Sequence, residues 1–368
     1  MSDDPAVTQD LKWPEVYSLA ALNAAVVISW IAYHEYQPVL IEKFNFSGLV
    51  DFLIVTKAIV LVVIPPIAGL VADHFMRKNG KYFTIFTIGI GTTAMIFMIV
   101  ATIIGSGPVS AIRPLLPVMI VLWLIAMNVF ISPANSMIEA FAPAQKLPIV
   151  MGVLFLVTEL IYAVEPIIVE LVRFFGDTLT FIVGGLLIAG TGFLFHRVSS
   201  DEVIQRKQQR LASSGKTSQN FISFLVILLI GTILGTAKAF LVEFFPGHAE
   251  SGVTSVGAYG QYISFGLLGF SAILGFLLSR RVVKLNLLKV IVQSTILMVI
   301  GILLMVFTTE SVLLISGGVL TAVAFSMINI SGLPYVINHL SIMHLTYGVG
   351  IFIGASEIVT GLMEVYLY

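Results

Sequence analysis

Eleven stretches of this chain stay apolar for about twenty residues or more. That is the length a helix needs to cross the roughly 30 Å hydrocarbon core of a bilayer. They run 15–42, 48–73, 82–105, 113–141, 146–175, 178–196, 220–246, 252–280, 285–308, 311–338 and 343–367. In lipid no water satisfies backbone N–H and C=O groups, so such stretches are expected to be helices whose prolines and glycines are accommodated by neighbouring helices. At 58% hydrophobic and 11% charged, with mean hydropathy +1.03, the chain lies far from a globular domain, where about 25% of residues are charged. The expected fold class is therefore all-α and polytopic. The opening MSDDPAVTQDLKWPE is acidic and polar with no basic n-region, so the first helix is expected to stay in the membrane. The absence of cysteine excludes disulfides, thiolate metal sites and cysteine nucleophiles.

One long polar segment, His196–Gln219, interrupts the series after the sixth span, and five of the 19 Lys and Arg residues lie in it. It divides the chain into an N-terminal six-helix half-bundle (1–196), a basic linker (197–219) and a five-helix half-bundle (220–368). The linker reads as a solvated tether, with a lipid-binding element as the other reading of Arg206, Lys207 and Arg210. Fourteen of the 19 basic residues fall on the linker side, three (Lys43, Arg113, Arg173) on the other, and two (Lys57, Lys238) inside spans. The positive-inside bias then predicts a cytoplasmic N-terminus and linker in an inner-membrane protein. The halves repeat weakly. Glu35-Tyr-Gln-Pro38 in span one answers to Glu243-Phe-Phe-Pro246 in span seven, and Phe130-Ile-Ser-Pro133 in span four to Ser331-Gly-Leu-Pro334 in span ten. That pattern fits two halves related by an axis along the membrane normal.

Between spans two and three, Pro66-Ile-Ala-Gly69-Leu-Val-Ala72-Asp73 is followed after six residues by Gly80-Lys81. Span four ends in Ser132-Pro133-Ala-Asn135-Ser-Met-Ile-Glu139-Ala-Phe-Ala-Pro143. These two stretches resemble the major facilitator superfamily, in particular its glycoside/sucrose–cation symporters. The second basic residue of the loop is replaced by Tyr82, the span-four arginine by Asn135, and the acid is Glu139, displaced by one. The resemblance implies two half-bundles rocking around a midplane site. It also implies a gating loop of Gly69, Asp73, Arg77, Gly80 and Lys81, with Asp73 as a latch that pairs with basic groups or caps a facing helix. Sugar or glycoside is the implied substrate class. That superfamily normally has twelve helices, and the groove a twelfth would fill is expected to face lipid or a partner helix.

Ionisable groups at membrane depth cost about 2.5–3.5 kcal/mol each on insertion scales and usually face the bundle interior. Here they are His34, Glu35, Lys57, Glu159, Glu165, Lys238, Glu243 and Glu357, while spans three, six and nine carry none in their interiors. Glu139, Glu170, Glu364 and His339 lie nearer span ends, where a solvated role is expected. A carboxylate withdrawn from water favours its neutral form, which suits proton coupling. Glu159, with Thr158 and Tyr162 beside it, and Glu35, beside His34 as relay, are the first candidates. The competing reading makes Glu35–Lys57 and Glu243–Lys238 inter-helix ion pairs, and Glu165, before Pro166, a break in span five. Candidate substrate ligands are Trp30, Tyr33, Gln37, Asn128, Asn135, Tyr259, Gln261, Tyr262 and Asn329. The function expected is proton-coupled transport of a small polar solute. A carrier for cations or amines, and a transport-inactive scaffold subunit, stand as alternatives. No enzyme motif, cofactor site, metal site or nucleic-acid surface is expected.

Overall fold

The computed structural model of the protein describes residues 11–43, 47–81, 83–105, 115–213, 220–252 and 257–367, and every regular element among them is helical. Eleven helical segments are long and apolar enough to cross a membrane: Trp13–Glu42, Val50–Lys78, Thr84–Gly105, Leu115–Phe141, Ala144–Ala163, Glu165–Lys207, Phe221–Glu250, Gly260–Val282, Leu287–Phe307, Ser311–His339 and Ile342–Tyr366. In chain order these are spans one to eleven, except that residues 165–175, which precede the reversal at Gly176, are counted with span five. Arg113, Lys216, Tyr82 and part of the first connection lie outside the described residues.

Proline and glycine set the irregularities. Pro166 has no N–H to give the Tyr162 carbonyl, and the helix Leu147–Ala163 ends there before restarting at Glu165. Residues 165–175 thus continue span five beyond a break, as the Glu165–Pro166 pair suggested. The reversal into span six occurs at Gly176, whose φ of 74° and ψ of 171° belong to a region only glycine adopts readily. Span seven contains a π-helical turn, Phe240–Phe244, just before Pro246, where the missing proline N–H leaves the preceding turn free to widen. Span four is likewise broken, into Leu115–Val129, Ile131–Ser136 and Ile138–Phe141, around Pro133.

Spans one to six pack among themselves, as do seven to eleven. Two long seams join these groups, span two on span eleven and span five on span eight. Along the first seam a Cβ at Gly69 would collide with the Thr346 carbonyl, and one at Gly350 with the Pro65 carbonyl. Ile88, Met95, Leu186, Phe193, Val292 and Ile296 of spans three, six and nine are exposed, an apolar rim suited to lipid.

The helix of span six does not end at His196. It continues to Ser213, with Ser199 and Val203 fully buried and Lys207 buried. The expected solvated tether is thus helical over residues 197–213 and packed on the bundle as far as Lys207, and the expected boundary at 196 falls inside that helix. Its apolar positions Val203 and Ile204 reach the core, a pattern that the charged residues on either side of them mask in a hydropathy scan.

Candidate functional site

On the side of the bundle opposite the linker, spans one, five and eight diverge around a cavity of about 320 Å³. Ile31, His34 and Glu35 line it from span one, Glu165, Pro166, Val169 and Arg173 from the second part of span five, and Gln261, Tyr262 and Phe265 from span eight. That volume is within the range of small-molecule sites. The cavity lies just beyond the break at Val164, and Gly269 of span eight packs on Ala163 immediately before that break. Glu35 is held by Arg173, whose Nε and Nη2 lie 2.7 and 3.2 Å from its two carboxylate oxygens. This forked geometry fixes both groups. The Glu35–Lys57 pair of the competing reading is not made; the guanidinium of Arg173, placed one turn before Gly176, holds Glu35 instead.

Lys57, buried in span two, instead joins the halves. Its Nζ lies 2.7 Å from Glu364 Oε1 of span eleven and 3.2 Å from His34 Nε2 of span one. An ammonium has no lone pair, so Lys57 donates to both. Glu364, placed by sequence near a solvated span end, is the carboxylate that offsets the buried Lys57.

The Glu243–Lys238 pair of that competing reading is also absent among the described residues. Lys238 Nζ sits 4.5 Å over the ring centre of Tyr162, a cation–π contact, and no carboxylate oxygen among the described residues lies within ion-pair distance. Glu159, Glu165 and Glu357 are within its electrostatic reach, and Glu243 is in reach of Lys57, Lys238 and Glu364. Glu159 is only 4% exposed, and its Oε2 has no hydrogen-bond partner among the described residues. The interior thus gathers Glu159, Glu165, Glu243, Glu357 and Glu364 around Lys57 and Lys238, an excess of acid over base.

On the linker side the halves are shut. Asp73 Oδ1 and Oδ2 accept the backbone N–H groups of Thr346 and Tyr347, at 3.3 and 2.9 Å, and so cap the helix Leu345–Ser356 of the other half. A carboxylate at a helix N-terminus satisfies orphan donors and meets the positive end of the helix dipole. Arg77 Nε donates to the Asp73 carbonyl at 3.2 Å, Gly80 closes span two in the left-handed conformation with φ 61°, and Lys81 is exposed. Thr346 Oγ1 bonds Ser136 Oγ at 3.2 Å, and Asn338 Nδ2 bonds the Ala144 carbonyl at 3.4 Å. Glu139, expected to be solvated, is buried; Arg206 Nε lies 3.7 Å from it, and Lys207 is within electrostatic reach of both Glu139 and Asp73. The basic partners absent from the loop and from span four are supplied by the extension of span six. Glu170, by contrast, is exposed beside Arg173, and His339 stacks on Tyr335.

The proposed substrate ligands separate into groups. Trp30, Tyr33 and Trp123 form one packed aromatic cluster, with Tyr33 and Trp123 stacked at 4.6 Å. Tyr33 and Trp123, with Gln37, border a void of about 20 Å³, where Tyr33 Oη and Trp123 Nε1 find no hydrogen-bond partner among the described residues. Gln261 and Tyr262 line the main cavity. Asn128 and Asn135 are turned back onto the Leu124 and Ile131 carbonyls of their own helix, an alternative the apolar surroundings favour, and they do not line the cavity. Asn329 is half-buried away from the cavity, and Tyr259 is exposed at the start of span eight, outside its lining.

No protein-family model matches the chain, and no curated protein matches it by sequence. Solved structures do match. The human organic anion transporter MFSD10 (TETRAN) superposes with a TM-score of 0.71 at 12% identity, over 97% of this chain and 93% of that one. A bacterial homologue of the iron transporter ferroportin, in an outward-facing state with soaked iron, gives a TM-score of 0.66 at 12% identity, over 98% and 91%. Both have the fold of major facilitator transporters, and at this identity the match is one of fold.

Proposed function

We propose that the protein is a secondary carrier that couples protons to a small polar solute by alternating access. One observation carries this reading. Unlike-charged groups from both halves meet beneath a cavity open on one side, while the other side is closed by backbone capping across the halves. A carrier needs both features, a titratable midplane site and a seal on one side that the other side lacks. Glu159 is assigned the coupling proton, because it is buried, carries an unpartnered oxygen and neighbours a cation from the opposite half. Glu165 and His34, which line the cavity, are assigned the relay between it and Glu159. Under the positive-inside bias the closed side is the cytoplasmic one.

Sugar or glycoside is the solute class implied by the loop between spans two and three. The acid excess around Lys57 and Lys238 favours a second reading, a cationic solute. The test is uptake into proteoliposomes under an imposed proton gradient. Uptake that rises with the gradient and falls to the background of empty vesicles in Glu159→Gln is the expected result. A protein that binds no solute and moves none, yet purifies with a stoichiometric membrane partner, would be a scaffold instead.

A further inference from the structure

The contact between Lys238 and Tyr162 is an ammonium ion resting on an aromatic face among buried carboxylates, and it is tethered by a flexible stem. Lys238 comes from span seven and Glu357 from span eleven of one half, while Tyr162, Glu159 and Glu165 come from span five of the other. The ring lies 4.5 Å from Nζ, inside the roughly 6 Å at which aromatic faces attract cations. The carboxylates nearby outnumber the lysine, and one oxygen of the buried Glu159 has no hydrogen-bond donor among the described residues. The cluster therefore holds one more acceptor for a cation than its resident cation uses.

We infer that the space bounded by Tyr162, Glu159 and Glu357 is a binding site for a primary alkylammonium ion, with Lys238 as its built-in occupant. This rests on the carrier reading and names its substrate class. An amine entering the cavity passes Glu165, which both lines the cavity and lies within reach of Lys238. Its ammonium donates to the free Glu159 oxygen and covers the ring, and Lys238 swings toward Glu243 and Glu165. Two features permit that swing. The lysine stem is unbranched and half-buried, and the π-helical turn just beyond it, Phe240–Phe244, departs from regular helical hydrogen bonding. No bond is made or broken beyond hydrogen bonds. When the amine leaves, Lys238 returns, so the site is never a set of uncompensated buried carboxylates, which would be costly.

The experiment uses the purified full-length chain, with propylammonium as probe and propanol as its uncharged counterpart, read as a shift in thermal midpoint over a concentration series. A ligand of the folded state raises the midpoint saturably. Propylammonium is expected to do so and propanol not. Glu159→Gln and Tyr162→Leu are expected to lose the shift. Lys238→Met removes the competitor; if the lysine occupies the site in nine molecules of ten, apparent affinity rises about tenfold. Should Lys238→Met fail to fold, Lys238→Gln makes the same test, and restoration of folding by propylammonium alone would support the site. The inference is overturned if propylammonium shifts neither the wild type nor the lysine variants, if propanol acts equally, or if Glu159→Gln keeps the full shift. Binding is read without flux. Amine binding without gradient-driven uptake would sink the carrier reading alone, and uptake of an uncharged solute with no amine binding would sink only this one.

Discussion

Lys57 illustrates why depth along a helix is a poor guide to depth in a protein. Its partner Glu364 stands near the end of the last span, yet it is packed against the opposite half and largely withdrawn from solvent. A buried ammonium that loses its carboxylate leaves an uncompensated charge, at a cost of about 3–5 kcal/mol, whereas replacing both partners by apolar groups is often neutral. Lys57→Met and Glu364→Leu are therefore each expected to lower the thermal midpoint in detergent, and the double variant to recover most of the loss. Additive losses would mean that the 2.7 Å contact does not couple the two. The sequence marked Glu159, Glu165, Lys238 and Glu357 as inward-facing, because charge in an apolar span has few other places to go. It could not show which acid meets which base, since Arg173 and Glu364 enter from positions that composition assigns to loops and span ends. Asn128 and Asn135 mislead for a related reason: with no polar neighbour in reach, an amide bonds its own helix.

At the level of elements, the breaks were legible because proline removes a donor at a known place. Pro166 ends the first part of span five and Pro246 comes just after the widened turn of span seven, and these two irregularities flank Lys238 and the cavity. The small-residue spacings were legible too. Gly231 and Gly235 meet Phe352 and Ser356 of span eleven, while Gly350 and Gly354 meet Pro65 and Val62 of span two. Span eleven is thus gripped on two faces. Without a hydrophobic drive between helices in lipid, such close approach is the main source of association. Gly350→Leu should force the Pro65 backbone away and cost about 1–3 kcal/mol, the usual penalty of overpacking. A lowered thermal midpoint, with propylammonium binding weakened because Glu357 shifts with span eleven, would confirm it. The helical linker was not legible, since the basic residues of 197–213 hide the apolar face carrying Val203 and Ile204.

For the whole molecule, one end of the bundle is open and the other sealed, and that difference makes alternating access testable. Opposite the linker, the halves diverge around a cavity with charged walls. On the linker side they are joined by helix capping at Asp73, by Thr346 to Ser136 and by Asn338 to the Ala144 carbonyl. The two neutral bonds are worth about 0.5–1.5 kcal/mol net each and those to the Asp73 carboxylate about 1.5–3, so the set can break together during a transport cycle. If solute is released on the linker side, spans five and ten must separate there. The chain contains no cysteine, so Ala144→Cys and Asn338→Cys together place the only two thiols across that seam. A short bifunctional thiol reagent with a reducible spacer is expected to abolish gradient-driven uptake in the double variant and spare both single variants, with a reductant restoring flux. Propylammonium binding from the open side should survive the cross-link, because the cavity and Tyr162 lie on the other side of the seal. Uptake that continues through a complete cross-link would mean that solute does not pass between the halves at this seam. The inward-facing charges would then serve the cohesion of the bundle rather than a transport cycle.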